Sequence, residues 1–276
     1  MRGAQSVEIF QYDYMIRAMV VGLILSIIIP IMGVVIVNRR TSMVGDALSH
    51  VSLAGVMGGL IMGINPVLGA VLGCLIATFF MEFIRKKFPS YGEISTAIIM
   101  SFGVGMASLL SGFVTGPTNI ESFLFGSIIA ITDFEFIMIR IMALIVIVNS
   151  FYFFKDLMYI SFDPISAALS GVKVDFVGGI FLFLTAVTVA ISSRTVGVLI
   201  ISSLMVLPVS CAMQLGKGYR GTTILSVLFG IFFTEVGLII SYYGGLKPGG
   251  SIVLLGVVTL LFIFFIQFIK GKKIGS

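Results

Sequence analysis

The stretch Met43-Val44-Gly45-Asp46-Ala47-Leu48-Ser49-His50 opens a hydrophobic run that continues from Val51 to Ile64. It sets an acid and the only histidine of the 276-residue chain four positions apart. On an α-helix that spacing puts both side chains on one face, about one turn apart. A carboxylate and an imidazole so placed can bind one divalent cation together. Ionisable groups in an apolar span are costly, and by default they mark an ion or substrate path.

The rest of the chain places this run in a membrane. Hydrophobic residues make up 58% of it, the mean hydropathy is +1.18, and charged residues are only 11%. A soluble domain carries roughly 25% charged residues. No hydrophilic stretch is long enough for a separate soluble domain, so residues 1–276 read as one membrane domain without a catalytic domain of its own. Apolar stretches fall at about 15–37, 43–64, 66–84, 94–114, 135–154, 174–193, 196–214, 222–240 and 250–269. Most are near the ~20 residues that a bilayer requires. The expected fold is all-α, a polytopic membrane protein with eight or nine transmembrane helices. The lower count applies if one stretch is re-entrant or bent. Asn65-Pro66 and Arg194 are the expected separators of two tight helical hairpins.

Charge fixes the orientation. Arg39, Arg40, Arg85, Lys86, Lys87, Lys155, Lys173, Lys217, Arg220, Lys270, Lys272 and Lys273 fall in alternate loops or at the C-terminus, which makes those positions cytoplasmic by the positive-inside rule. Arg2, Arg17, Arg140, Arg194 and Lys247 lie on or near the other side. The net charge of +5 is thus a topology signal and gives no reason to expect nucleic acid. With nine spans the N-terminus is outside, and Asp46 then lies close to the cytoplasmic end of its helix. No cleavable signal peptide is expected, since the first apolar run is too long for one. Cys74 and Cys211 each sit inside an apolar run and read as small core residues.

Other features fill in the path and its surroundings. Pro30 should kink the first helix. Gly55, Gly59 and Gly63, then Gly69 and Gly73, recur at intervals of four, a pattern that permits close helix approach and leaves a gating hinge as the alternative. Loop 115–121 is external by this topology, and the short apolar piece 124–130 reads as re-entrant or interfacial. In the segment 161–172, Asp163 is a natural N-cap, Pro164 suits the first helical position and Gly171 a stop. This short helix either caps the bundle or docks a cytoplasmic partner. Ser202, Ser203 and Pro208 mark the seventh stretch. Glu235 lies deep in the eighth, either protonated and hydrogen-bonded or lining a wet path.

Two side chains make an incomplete metal site. Waters, carbonyls or the same pair on a second subunit can complete it, and a two-fold dimer would supply two carboxylates and two imidazoles. The pair's alternative role is a local Asp46–His50 hydrogen bond that stitches two helices together. Mixed oxygen and nitrogen ligation suits Mn²⁺, Zn²⁺ or Fe²⁺, and a conduit binds its cargo reversibly.

At these residues the sequence resembles the permease subunits of bacterial ABC importers for manganese, zinc and iron. The resemblance rests on Arg39 to His50, Leu124-Phe125-Gly126-Ser127, Asp163 to Val172, Val196-Gly197-Val198-Leu199 through Pro208, and Ser241-Tyr242-Tyr243 with Pro248-Gly249-Gly250. It implies a homodimeric transmembrane domain in the bacterial cytoplasmic membrane, with cytoplasmic ATP-binding subunits and an extracytoplasmic metal-binding protein. The family's metal-contacting acid and histidine map onto Asp46 and His50. Asp163, Pro164, Ala168 and Gly171 fall in the segment similar to the coupling helix that docks on the ATPase. The chain has no G-x-x-x-x-G-K-[ST] loop, so ATP is expected on the partner, and no cofactor is expected to stay bound. Glu235 lies outside the family pattern. Some zinc importers of this kind carry histidine-rich stretches, so the single histidine leans the cargo toward manganese.

Three other readings compete with this one. A siderophore or cobalamin permease needs a wide path and no metal-ligating pair. An intramembrane metalloprotease needs HExxH and a further ligand, more than one histidine supplies. An ion-coupled secondary transporter often shows inverted repeats, and no convincing internal repeat is present.

Overall fold

The computed structural model describes residues 13–88, 92–114, 123–124, 126, 131–216 and 218–270. Among these, every regular element is a helix. They are α1 (Asp13–Asn38), α2 (Met43–Ile61), α3 (Pro66–Lys87), α4 (Gly92–Ser111), α5 (Asp133–Tyr152), α6 (Phe154–Phe162), α7 (Pro164–Leu169), α8 (Val174–Thr195), α9 (Val198–Met213), α10 (Gly218–Gly244) and α11 (Pro248–Ile269). Eight are long and apolar enough to cross a membrane, and α9 is a shorter apolar helix of 16 residues. The nine apolar stretches are α1–α5 and α8–α11, while α6 and α7 lie between them. Loop 115–121 and most of 124–130 lie outside the described residues.

The helices form two groups joined by α8. In one, α2 packs on α3 and α4; in the other, α10 packs on α1, α9 and α11. Helix α8 leans on α2 and α3, and α9 bridges to α2 and α1. Some of these contacts are made backbone to backbone. A Cβ on Gly55 would run into the Gly69 carbonyl oxygen, and one on Gly69 into that of Gly55. Gly55, Gly59, Gly69 and Gly73 therefore act here as a packing seam between α2 and α3, whereas Gly63 lies past the end of α2 at φ +68° and joins no contact. On the far side of α2, a Cβ on Gly103 of α4 would come within 2.8 Å of the Val51 nitrogen.

Helix α1 remains helical through Pro30. Proline cannot donate to the carbonyl one turn back, that of Ser26. Gly230 of α10 sits against this freed oxygen: a Cβ there would be 2.6 Å from it and 2.7 Å from the Pro30 ring. One of the two hairpins differs from its expected separator. Asn65 does cap α3, accepting from Val67 N at 2.9 Å, with Pro66 as the first helical residue. Arg194, by contrast, lies within the last turn of α8, and the α8–α9 turn is made by Val196-Gly197, where φ of +102° suits glycine.

At the start of α5, Thr132 and Glu135 form a capping box. Thr132 N donates to Glu135 Oε2 at 2.9 Å. Glu135 is almost wholly buried, and its other oxygen lies 3.0 Å from Arg194 Nη1, near enough to pair charges although not aimed as a hydrogen bond. Arg17 and Asp133 add an exposed pair at 2.6 Å. Together these tie α1, α5 and α8 at one rim.

The seam between α2 and α3 is testable. Gly55→Val should lower the unfolding free energy by about 1–3 kcal/mol through overpacking. Gly105→Ala faces open space and should stay within about 0.5 kcal/mol of the parent. Thermal unfolding in detergent separates the two.

Candidate functional site

Asp46 lies in the first turn of α2, and His50 follows one turn later. Asp46 Oδ1 and His50 Nε2 are 3.8 Å apart. That exceeds hydrogen-bond reach, so the local Asp–His hydrogen bond is not formed. The gap does suit a shared cation. Two donors each about 2.1 Å from a metal are about 3 Å apart at a right angle and just over 4 Å apart in line. The side chains are 31% and 20% exposed, respectively, so the pair opens on one side rather than being closed within its own chain. Among the described residues, no third His, Cys, Asp or Glu joins it.

The depth of the pair follows from its neighbours. Gly45 packs on α9: a Cβ there would meet Met205 Sδ at 2.8 Å and Ser202 Cα at 3.9 Å. Gly33 of α1 abuts the carbonyl of the same Met205. Met205 lies eight residues from the C-terminal end of α9, a rise of about 12 Å. Asp46 is therefore in the first turn of its helix yet deep in the bundle, because α2 itself begins deep. Ser52 agrees with this placement. It shares a 2.6 Å hydrogen bond with Ser193, near the outer end of α8.

Behind the pair, α2 is lined with small polar groups. Ser49 and Ser52 are fully buried, and Cys74 Sγ of α3 donates to the Leu48 carbonyl at 3.3 Å. Cys74 and Cys211 are wholly buried free thiols, as their apolar surroundings suggest. Ser202 and Ser203 are partly buried, and Ser203 Oγ donates back to Leu199 O at 3.3 Å.

Glu235 sits apart from the pair. It faces α1, with Oε1 3.8 Å from where a Cβ on Gly22 would be. That oxygen is buried and has no hydrogen-bond partner among the described residues. Its helix, α10, packs on α1, α9 and α11.

At the basic end, Asp163 caps the six-residue α7. Its Oδ1 accepts from Ile165 N at 2.9 Å and Ser166 N at 3.2 Å, and its Oδ2 from Ser166 Oγ at 2.5 Å. Pro164 takes the first helical position. Gly171 ends the segment with φ +87°, its N–H reaching Ala168 O and that of Val172 reaching Ala167 O, a Schellman stop. Ala167 is buried while Ile165 and Leu169 are exposed, and with Ala168 they line an open groove of about 730 Å³.

The outer Glu135–Arg194 pair was not singled out by the sequence reading. Its signal was present in Thr132-Asp133-Phe134-Glu135, a capping box just before an apolar run.

The ABC 3 transport family profile matches residues 11–268. The chain is 30% identical to the manganese transport system membrane protein MntC of Listeria monocytogenes, covering 97% of this chain and 94% of that one. It is 27% identical to the high-affinity zinc uptake system membrane protein ZnuB of Haemophilus influenzae, over 95% of this chain and all of the other. Among solved structures, PsaBC from Streptococcus pneumoniae in complex with Fab superposes with a TM-score of 0.83 at 25% identity, covering 95% of this chain and 94% of that one.

The cap on α7 carries a pH signature. The Ser166 hydroxyl, then its backbone N–H, hold the Asp163 carboxyl below the ordinary aspartate range. A depressed carboxylate stabilises the fold above its unfolded pKa, and that contribution fades as pH falls through the folded value. At neutral pH, Asp163→Ala should therefore speed amide exchange at Ile165 and Ser166, and Asp163→Asn should largely restore protection. Below the ordinary aspartate range, wild type should approach the alanine variant.

Proposed function

The chain belongs to the ABC 3 transport family, and from that premise we propose that it is the transmembrane subunit of an ATP-driven importer of divalent transition-metal ions. The observation that carries this reading is the half-open Asp46–His50 pair, its donors 3.8 Å apart. An extracytoplasmic binding protein delivers the ion to the outer mouth. Asp46 and His50 replace part of its water shell and hold it briefly. A second copy of the chain, facing the open side of the pair, brings the same two ligands and completes the coordination.

The chain has no phosphate-binding loop, so ATP is hydrolysed on cytoplasmic partner subunits. These dock on α7, where Ile165 and Leu169 offer an exposed apolar face beside the groove. Asp163, Pro164, Ala168 and Gly171 set the shape of that helix. Movement there alternates the access of the metal site between the two sides. The whole chain forms one permease domain. Manganese is the favoured cargo over zinc or iron, on the single histidine. Both manganese and zinc system proteins are among the relatives, so the cargo is an experimental question. Glu235 is carried as a second candidate for the path, separate from the pair.

Uptake tests the reading. Cells depleted of their own importers would express the chain with its ATPase and binding protein, and manganese, zinc and iron would be counted in parallel. Manganese should accumulate. Losing even an outer-shell partner of a metal ligand typically costs 10–100-fold, so Asp46→Ala and His50→Ala should each cut uptake at least about tenfold while the complex still assembles. Normal uptake by both variants removes the pair from the path. Glu235→Gln, measured alongside, places that residue on the path only if uptake falls.

A further inference from the structure

The cytoplasmic ends of α1, α3 and α6, with the start of α7 and α8, enclose an open cleft of about 780 Å³. Its charged lining is Arg39, Arg40, Arg85 and Lys86 against Glu82 and Asp175, an excess of positive charge. The two acids are already engaged. Glu82 Oε2 lies 2.7 Å from Arg85 Nη2, and Asp175 lies 3.8 Å from Lys86. Arg39 has no ion pair or hydrogen bond from its side chain among the described residues. Its guanidinium reaches under α8 to within 3.7 Å of the position that a Cβ on Gly178 would take. Burial and then the neighbouring Arg85 guanidinium lower its pKa from the ordinary arginine value, while the nearby Glu82 carboxylate acts the other way. The fold thus holds like charges close together, with Arg39 outside any direct ion pair and the cations outnumbering the acids, an arrangement that favours binding of an anion.

The outer surface of α3 leads into this cleft. Leu72, Ile76, Phe79 and Phe83 are exposed at helical spacing, and the next residue on that stripe is Lys86. Helix α8 packs beside α3 and exposes Phe176 and Phe183. An apolar track between lipid-facing helices therefore ends in a basic cleft at the cytoplasmic boundary.

We propose that the cleft binds one anionic phospholipid of the cytoplasmic leaflet, its phosphate among Arg39, Arg85 and Lys86 and an acyl chain along Leu72, Ile76, Phe79 and Phe83. Guanidinium forks match phosphate oxygens, and a basic pocket between transmembrane helices on the cytoplasmic side is the form that such headgroup sites take. An acidic segment of a protein partner would satisfy the charges but leave the apolar track unused. A lipid meets both.

The test uses the full chain, purified with the subunits that accompany it and reconstituted in phosphatidylcholine vesicles. Spin-labelled phosphatidylglycerol and spin-labelled phosphatidylcholine report selectivity at the protein surface. Wild type should prefer phosphatidylglycerol, and R39Q and K86Q should each reduce that preference by about fivefold, the weight of one basic residue near an anionic surface. K155Q, an exposed cytoplasmic lysine outside the cleft, should leave it unchanged. K86Q removes an exposed side chain, so it tests the site even if R39Q fails to fold. Equal binding of the two lipids by wild type overturns the proposal, as does full selectivity in K86Q. Loss of the ATPase subunit from K86Q with lipid selectivity intact would assign the cleft to a protein contact instead.

Discussion

An apolar helix that carries a carboxylate and an imidazole has to be shielded from hydrocarbon by other helices. Everything around α2 answers that constraint. In lipid there is no hydrophobic drive to press helices together, so close packing has to supply the attraction. Gly55 and Gly69 bring α2 and α3 into backbone contact, Gly103 does the same for α4, and Gly45 admits Met205 of α9. What remains of α2 beyond these contacts is the strip bearing Asp46 and His50, still 31% and 20% exposed. The small residues thus do more than tighten the bundle. They decide which face of α2 is left open.

The arrangement also gives the two ends of the molecule a mechanical connection. Helix α8 packs on α7 at the basic end and on α2 in the interior. Its Ser193 is hydrogen-bonded to Ser52, less than one turn beyond His50. A single 22-residue rod therefore spans from the neighbourhood of the capped α7 to the neighbourhood of the pair. At the outer rim the same rod is held by Arg194 against the buried Glu135. Displacing α8 would have to break or slide contacts at both ends, which is how a packed element passes between discrete positions.

Much of this was legible in the sequence because membrane helices obey few rules. Length and apolarity located the nine stretches, and one of them, α9, fell below ordinary spanning length. Asp163, Pro164 and Gly171 announced the start and stop of α7 through local chemistry that does not depend on distant packing. The Asp46–His50 spacing was readable for the same reason. The depth of the pair was not, since it depends on where α2 is set against α1 and α9, and Gly33, Gly45 and Met205 are far apart in the chain. Arg194 misled because charge alone suggested a loop. Its partner Glu135, some sixty positions earlier, lets it stay helical. The freed Ser26 carbonyl and its glycine neighbour on α10 are a long-range match of the same kind.

Cys74 and Cys211 are both fully enclosed, one donating to a backbone carbonyl and both away from solvent. The native chain should therefore be nearly silent toward water-borne thiol reagents. Cysteines introduced one at a time along the exposed strip of α2, or into the lining of the basic cleft, would report on their own surroundings without first stripping the protein of its natural thiols. The chain comes equipped as its own background for mapping which surfaces meet water, and on which side of the membrane.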